Sequence, residues 1–185
     1  MLPSADDLLA FIKGIKSDRI IVLPNNPNII PTVRLADQQS SKQIYTLLTK
    51  NVVDGLTAMY GYIDSGSVSE NIESMNDCIG LADTLEVFRS SRDATIGKVS
   101  IEKGDYFVVK DSEVLSTSAV LEEAVAAAAE KIDIDSRSNI SLYYGDDFDA
   151  TELGSVEERF SKMKSSFEFE HHHGGQENGL IIAIE

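Results

Sequence analysis

The sequence predicts an α/β fold, and three observations predict it. Over the first half, short β-branched runs alternate with segments of helical period, an order that suits parallel strands joined by crossover helices. The middle switches to period-two alternation broken by turn residues. The last third returns to helix and strand. The sheet is therefore expected to be mostly parallel, with a small antiparallel β element in the middle of the chain.

Each element has its own local signal. Ser4 has Asp7 three residues on and precedes the apolar stripe Leu8, Phe11, Ile12 and Ile15, which predicts a capped first helix. The polar pair Ser17-Asp18 opens onto IIVL (20–23), a buried strand that stops at Pro24. Asn25-Asn26-Pro27 is a turn into a helix ending near residue 40. Residues 42–49 (KQIYTLLT) are the next strand, and 52–62 and 69–82 two further helices. Residues 84–92 alternate. Residues 99–117 then give short antiparallel strands, with turns at Gly104-Asp105 and Lys110-Asp111.

Ser118 is expected to cap a helix with the stripe Leu121, Val125, Ala128 and Ile132, whose AVAAAAE stretch favours close packing on a sheet. ISLYY (140–144) is a strand. Asp149 and Glu152 form a capping box ahead of Leu153, Val156, Phe160 and Met163. Two strands, 167–173 and 180–185, end the chain, and the GGQENG between them suits an antiparallel hairpin. The chain reads as one domain, 1–185. Its α/β parts are 1–83 and 118–185, and 84–117 is an antiparallel insertion.

Composition narrows the function. The 185 residues are enough for a core without disulfides or metals. The 31 acidic against 16 basic residues give a formal charge of −15. That field repels phosphate backbones and anionic lipid, so neither nucleic-acid binding nor membrane insertion is expected. A single cysteine, Cys78, excludes an internal disulfide and a Cys-cluster zinc site. It falls beside Met75 and Ile79 on a predicted helix, where a small core residue is the plainer reading than a nucleophile. MLPSADDLL carries no basic stretch ahead of an apolar one, and no apolar run approaches the ~20 residues that span a bilayer. A soluble, cytoplasmic domain is expected.

The only three histidines stand together at 171–173. On a strand, His171 and His173 share a face with Phe167 and Phe169, while His172 shares the other with Glu168 and Glu170. No third ligand is fixed for a zinc ion, so no metal site is expected. Lying between two strand-like segments, they are not a trailing purification tag. His173 opens onto Gly174-Gly175-Gln176, where glycines allow close backbone approach and offer N–H groups.

These motifs also resemble a known family. Leu23-Pro24-Asn25-Asn26-x-Asn28-Ile29-Ile30 is similar to its LPNN-x-NII segment. Thr49-Lys50 followed by Gly55 resembles its TK-x-x-x-x-G stretch, with Val53-Asp54 in place of Pro-Gln. Arg92-Asp93 and Ile101-x-x-Gly104-Asp105-Tyr106 resemble its RD…I-x-x-GDY block. Tyr143-Tyr144-Gly145-Asp146-Asp147 resembles its YYGED turn. His173-Gly174-Gly175-Gln176 resembles its closing HGGQ, with a departure from Pro-Leu-Tyr beyond the glutamine. The family is the C-terminal region of bacterial fatty acid kinase A-subunit proteins, Dak-phosphatase-like and DegV-like.

The resemblance implies a DegV-like fold and a division of labour. A separate N-terminal domain of such kinases holds ATP and magnesium, and a DegV-type partner carries the fatty acid whose carboxylate is phosphorylated. This region is then a docking domain, with a homodimer as a further expectation. The sequence itself has no G-x-x-x-x-G-K-[ST] loop, no G-x-G-x-x-G and no aspartate cluster, so no cofactor and no catalytic residue are assigned to it. It reads as a fragment without activity of its own.

Candidate binding or docking residues are Asn25, Asn26, Thr49, Lys50, Arg92, Asp93, Tyr144, Gly145, His173, Gly174, Gly175 and Gln176. Ends of parallel strands line ligand crevices, and these side chains supply amide, hydroxyl and cationic groups. Each also has a plainer role: the asparagines as turn residues, Lys50 as a solvated strand end, Arg92-Asp93 as an ion pair, Tyr144 as packing. Two other functions stay open. One is a module that binds a fatty acid or phosphorylated metabolite itself. The other is a phosphatase or phosphotransferase using His173 with Arg92 or Lys50.

Overall fold

A computed structural model describes residues 2–185, which form two compact units, 2–82 and 83–185. In the first unit, α1 (Ala5–Gly14) starts at Ser4, whose hydroxyl accepts from Asp7 N while the Asp7 carboxylate accepts from Ser4 N at 2.9 Å. The stripe expected on this helix is narrower than read. Ile12 is buried, but Phe11 is 75% exposed. Lys42 Nζ donates to the carbonyls of Ile12 and Ile15, closing the C-terminal end of the helix.

Strand β1 (Arg19–Val22) pairs in parallel with β2 (Gln43–Thr46), from Arg19↔Gln43 to Val22↔Thr46. The crossover between them is a 3-10 turn (Pro27–Ile29) and α2 (Ile30–Gln39). Helices α3 (Val52–Tyr60) and α4 (Val68–Asp77) follow, capped by Asn51 and by a Ser67–Glu70 capping box. A small cluster of Leu47, Ala58 and Met75 packs with Ile21, Leu23, Ile72 and Ile79. Cys78 is the half-buried C-cap of α4.

The second unit is built on a six-stranded sheet. Its strands are β3 (Asp83–Arg89), β6 (Tyr106–Lys110), β7 (Glu113–Ser118), β8 (Asn139–Tyr144), β9 (Glu168–His173) and β10 (Leu180–Ile184), and their order is β7-β6-β3-β10-β8-β9. A separate hairpin joins β4 (Ala94–Ile96) to β5 (Val99–Ile101). The α/β class holds, but in the six-stranded sheet only β8 and β9 run parallel. The other ladders are antiparallel, and in the β6-β7 pair the Asp111-Ser112 turn, at φ 49° and 69°, returns the chain directly.

The expected C-terminal hairpin does not form, because β8 lies between β9 and β10. Burial explains the order. β10 reads LIIAI, and Leu180, Ile182, Ala183 and Ile184 are fully buried, so it takes a central place with neighbours on both sides. β9 reads EFEHHH, and only Phe169 escapes full exposure, which suits an edge. Helix α6 (Ala150–Met163) makes the parallel crossover from β8 to β9.

Helices α5 (Leu121–Ala129) and α6 cover one face, where Leu85, Val87, Val108, Ile140, Leu142, Ile182 and Phe160 form the main core. The Ala124–Ala129 stretch permits the close approach expected of it, and the Ser116 hydroxyl donates to Ala124 O at 2.6 Å. Ser118 sits two residues before the true cap, Val120, and accepts its N–H. Asp149 and Glu152 form the expected capping box, and Tyr106 OH donates to Glu152 at 2.8 Å, tying α6 to β6. No helix among the described residues is long and apolar enough to cross a membrane.

The other face of this sheet carries Glu86 between Ile181 and Val109. Burial raises its carboxyl above the ordinary value. A raised acid favours the folded state while it is protonated, and loses that advantage as pH climbs past the unfolded-state value toward the folded one. Glu86→Gln is therefore expected to raise Tm at pH 7, with the gain vanishing near pH 4. Calorimetry across that range measures it.

Candidate functional site

The residues singled out from sequence fall into separate groups. In the first unit, Asn25 follows β1 in a left-handed conformation, φ 55°, which asparagine tolerates better than most residues. Its N–H donates to Thr49 Oγ1 at 2.9 Å, so the ends of β1 and β2 are tied by a fully buried hydroxyl. The Asn25 amide lies over Gly55 of α3, where a Cβ would meet Oδ1 at 2.2 Å. That contact explains the glycine.

Asn25 Oδ1 is buried and accepts no hydrogen bond among the described residues. An orphaned acceptor costs ~1–3 kcal/mol. Asn26 accepts from Asn28 N at 2.9 Å and caps the 3-10 turn. Lys50 N donates to buried Asp54 at 2.8 Å, while Asp54 N donates to Asn51, so the start of α3 is closed on itself.

Beside this group lies a cavity of about 570 Å³ that sequence reasoning missed. Ile20, Ile21 and Leu23 of the β1 segment, Tyr45 of β2, and Met59, Tyr62 and Met75 give it apolar walls, and Arg19, Asp64 and Asn71 add polar groups. Neither Asn25 nor Thr49 lines it. Asn71 is 4% exposed and holds the loop after α3: Oδ1 accepts from Ile63 N at 2.7 Å, and Nδ2 donates to Ile63 O at 2.9 Å. The last turn of α3 and this loop present apolar side chains to solvent. Met59 is 59% exposed, Tyr60 80%, Tyr62 54% and Ile63 45%. The available signal was the run MYGYI, too apolar for a helix end that the rest of the unit leaves uncovered.

In the second unit, Tyr144, Gly145, His173, Gly174, Gly175 and Gln176 do come together, where the chain passes over the end of β8. Gly174 N donates to Tyr144 O and prolongs the parallel ladder. Gly175 takes φ 73° and turns the chain. The Gln176 amide donates to Tyr143 O at 3.0 Å and Gly179 O at 3.2 Å, and Asp147 accepts from Gly179 N at 2.9 Å. Cβ atoms on Gly145 and Gly174 would meet Gln176 O at 2.7 Å and Gln176 Oε1 at 2.0 Å. The glycines make room for the loop's own glutamine.

His173 Nε2 pairs with Asp146 at 2.9 Å and packs edge-on against Tyr144. His172 stacks on Tyr143, and His171 pairs with Glu157 of α6 at 2.8 Å. Exposed pairs of this kind are worth ~0–1 kcal/mol. Among the described residues, no group of three or more His, Cys, Asp or Glu could hold a metal ion. Arg92 and Asp93 do not pair with each other. Asp93 accepts from Lys103 N at 2.7 Å, and the Arg92 carbonyl accepts from Ser90 Oγ at 2.6 Å, which shapes the base of the β4-β5 hairpin.

Comparison with known proteins places this geometry. The family model for the C-terminal region of fatty acid kinase A-subunit-like proteins matches residues 1–185. Protein YloV of Bacillus subtilis is 28% identical over 177 residues, covering 95% of this chain and 32% of that protein. An uncharacterized protein of Staphylococcus saprophyticus gives the same identity and coverage. The chain thus spans about a third of the length of the curated relatives it matches.

Three solved structures share the fold. The fatty acid kinase B3 protein of Streptococcus pneumoniae, loaded with linoleic acid, aligns at TM-score 0.67 and 15% identity over 100% of this chain and 76% of that one. A fatty-acid-binding DegV family protein of Thermus thermophilus aligns at 0.66 and 11%, over 100% and 78%. The dihydroxyacetone kinase of C. freundii, in complex with AMP-PNP and Mg2+, aligns at 0.68 and 10%, over 98% and 41%.

The contact between Asn25 and Gly55 is testable. Gly55→Ala forces a Cβ into the Asn25 amide and is expected to cost about 2 kcal/mol, as overpacking does. With Asn25→Gly the clash is gone, and alanine's higher helix propensity, worth up to ~1 kcal/mol, makes the same change neutral or stabilising. Urea denaturation of the two single variants and the double variant measures the coupling.

Proposed function

Because the chain belongs to the C-terminal family of fatty acid kinase A-subunit-like proteins, we propose that it docks a DegV-type protein carrying a fatty acid. A separate domain, holding ATP and magnesium, then phosphorylates the acyl carboxylate. The chain contributes recognition and self-association rather than chemistry, and acts in the cytoplasm. The observation that carries the reading is the exposed apolar segment Met59, Tyr60, Tyr62 and Ile63. Exposed aromatic side chains are the usual anchors of a protein interface, and Asn71 fastens the loop that follows these, through Ile63 N and O, Gly66 O and Ser67 O. The net charge of −15 argues that the acyl chain arrives on a protein rather than from an anionic bilayer.

The groups suggested for chemistry are occupied with structure. His173 answers to Asp146 on a solvent-exposed edge, and the Gly174–Gln176 segment is closed by its own glutamine. A general base needs a proton to take within ~3 Å in a plausible substrate pose, and nothing around His173 frames one. A second reading has one observation in its favour. The cavity beside Met59 and Tyr62 falls within the size range of ligand pockets, so the unit could hold an apolar ligand itself.

Titration calorimetry separates the two. With a fatty-acid-loaded DegV-type protein, Tyr60→Ala and Tyr62→Ala together are expected to weaken binding by at least tenfold, in the range of lost interface anchors. No binding of the unaltered chain to the partner, together with one fatty acid retained by the purified chain in native mass spectrometry, would overturn docking in favour of the second reading.

A further inference from the structure

We propose that Asn178-Gly179 is a latent deamidation site, held shut by the Asp147 carboxylate. The inference does not rest on docking, because it concerns the covalent chemistry of the chain itself.

The sequence supplies the reactive pair. Asparagine amides are among the chemically labile side chains. A glycine after one, having no Cβ, offers least hindrance to its own nitrogen closing on the side chain. Asn178-Gly179 is the only Asn-Gly pair in the chain. The reaction needs water and nothing else. Gly179 N attacks Asn178 Cγ, the Cγ–Nδ2 bond breaks, and ammonia leaves with the proton that Gly179 N gave up. Water then opens the cyclic imide at either carbonyl, leaving aspartate or isoaspartate at 178. Asn178 stands exposed in the loop that passes over the end of β8, and its amide makes no hydrogen bond among the described residues.

The restraint is on the glycine. Gly179 is buried, with φ 97°. Its N–H donates to both oxygens of Asp147, at 2.9 Å and 3.2 Å. Its carbonyl accepts from Gly145 N at 3.0 Å and from the Gln176 amide at 3.2 Å. The Phe88 ring lies 3.0 Å from the place a Cβ would take. To reach Asn178 Cγ, the Gly179 nitrogen has to leave the carboxylate and lose its proton. Asp147 opposes both steps. Its bond to the N–H is charge-assisted, and its negative charge disfavours an amide anion beside it. Having to break a bond of this class slows a reaction roughly tenfold or more.

The site matters because of where the product lands. Isoaspartate inserts its side-chain methylene into the main chain. The insertion falls between Gln176, which fastens the loop to Tyr143 O, and Leu180, the first residue of the central strand β10. The passage that sets the register of β10 is then one atom too long.

Peptide mapping by mass spectrometry, during incubation at mildly alkaline pH, tests the guard. In the folded chain Asn178 is expected to deamidate roughly tenfold or more slowly than in the same chain unfolded in urea. Asp147→Ala should speed the folded reaction about tenfold. Asp147→Asn, which keeps an acceptor without the charge, should fall between the two. Asp146→Ala removes a neighbouring charge that pairs with His173 instead, and should leave the rate unchanged. Hydrogen exchange of the β10 amides is read on the same samples, and a rate that rises only in step with the opening of β10 overturns the inference. A folded rate equal to the unfolded one also overturns it. So does an Asp147→Ala chain that deamidates no faster, or more slowly, as it would if the carboxylate served as a general base.

Discussion

The second unit depends on one constraint: β10 is apolar on both faces, so it cannot lie at the edge of a sheet. Leu180, Ile182 and Ile184 enter the core under the helices, and Ala183 is buried on the opposite side. The chain satisfies this by inserting β10 between β3 and β8. Everything around it follows. β9 is displaced to the far side of β8, α6 has to make a parallel crossover, and the segment after His173 has to pass over the end of β8. The Gln176 and Asp147 bonds that fasten this passage, and the two glycines pressed against Gln176, are consequences of that route. Three histidines end up on a solvated edge for the same reason.

What could be read from sequence was local. The Ser4–Asp7 and Asp149–Glu152 capping boxes, the turn at Asn25-Asn26-Pro27 and the strand at 140–144 each carry their cause within a few residues. The order of strands does not. A loop of six residues after His173 spans a hairpin or a step over one strand equally well, and only the burial demand of 180–184 decides between them. Ser118 misled for a related reason, since a serine near a helix start caps only if the backbone turns there, and Ser118 is still the last residue of β7. Phe11 belonged to a helical stripe, but a stripe says which residues share a face and not how much of that face is covered.

The candidate site divides in the same way. That the asparagines, Thr49 and the HGGQ segment matter to the fold was visible as a set of unusual residue types in order. Their partners were not visible, because each partner is distant in sequence: Thr49 for Asn25, Gly55 beneath the Asn25 amide, Tyr143 O for Gln176. Seen with those partners, the polar residues are fasteners of strand ends, and the exposed apolar segment at the end of α3 is the surface left for recognition. That segment gave little signal because tyrosine, methionine and isoleucine near a helix end look like core until the packing is known.

The measurement that bears most directly on docking is hydrogen exchange of the chain with and without a fatty-acid-loaded DegV-type protein. Docking through the end of α3 and the loop that follows it predicts new protection concentrated in residues 59–63 and the start of α4, with β9 unchanged. Protection confined to the strand ends around His173 and Gln176, with 59–63 exchanging as freely as in the isolated chain, would contradict it.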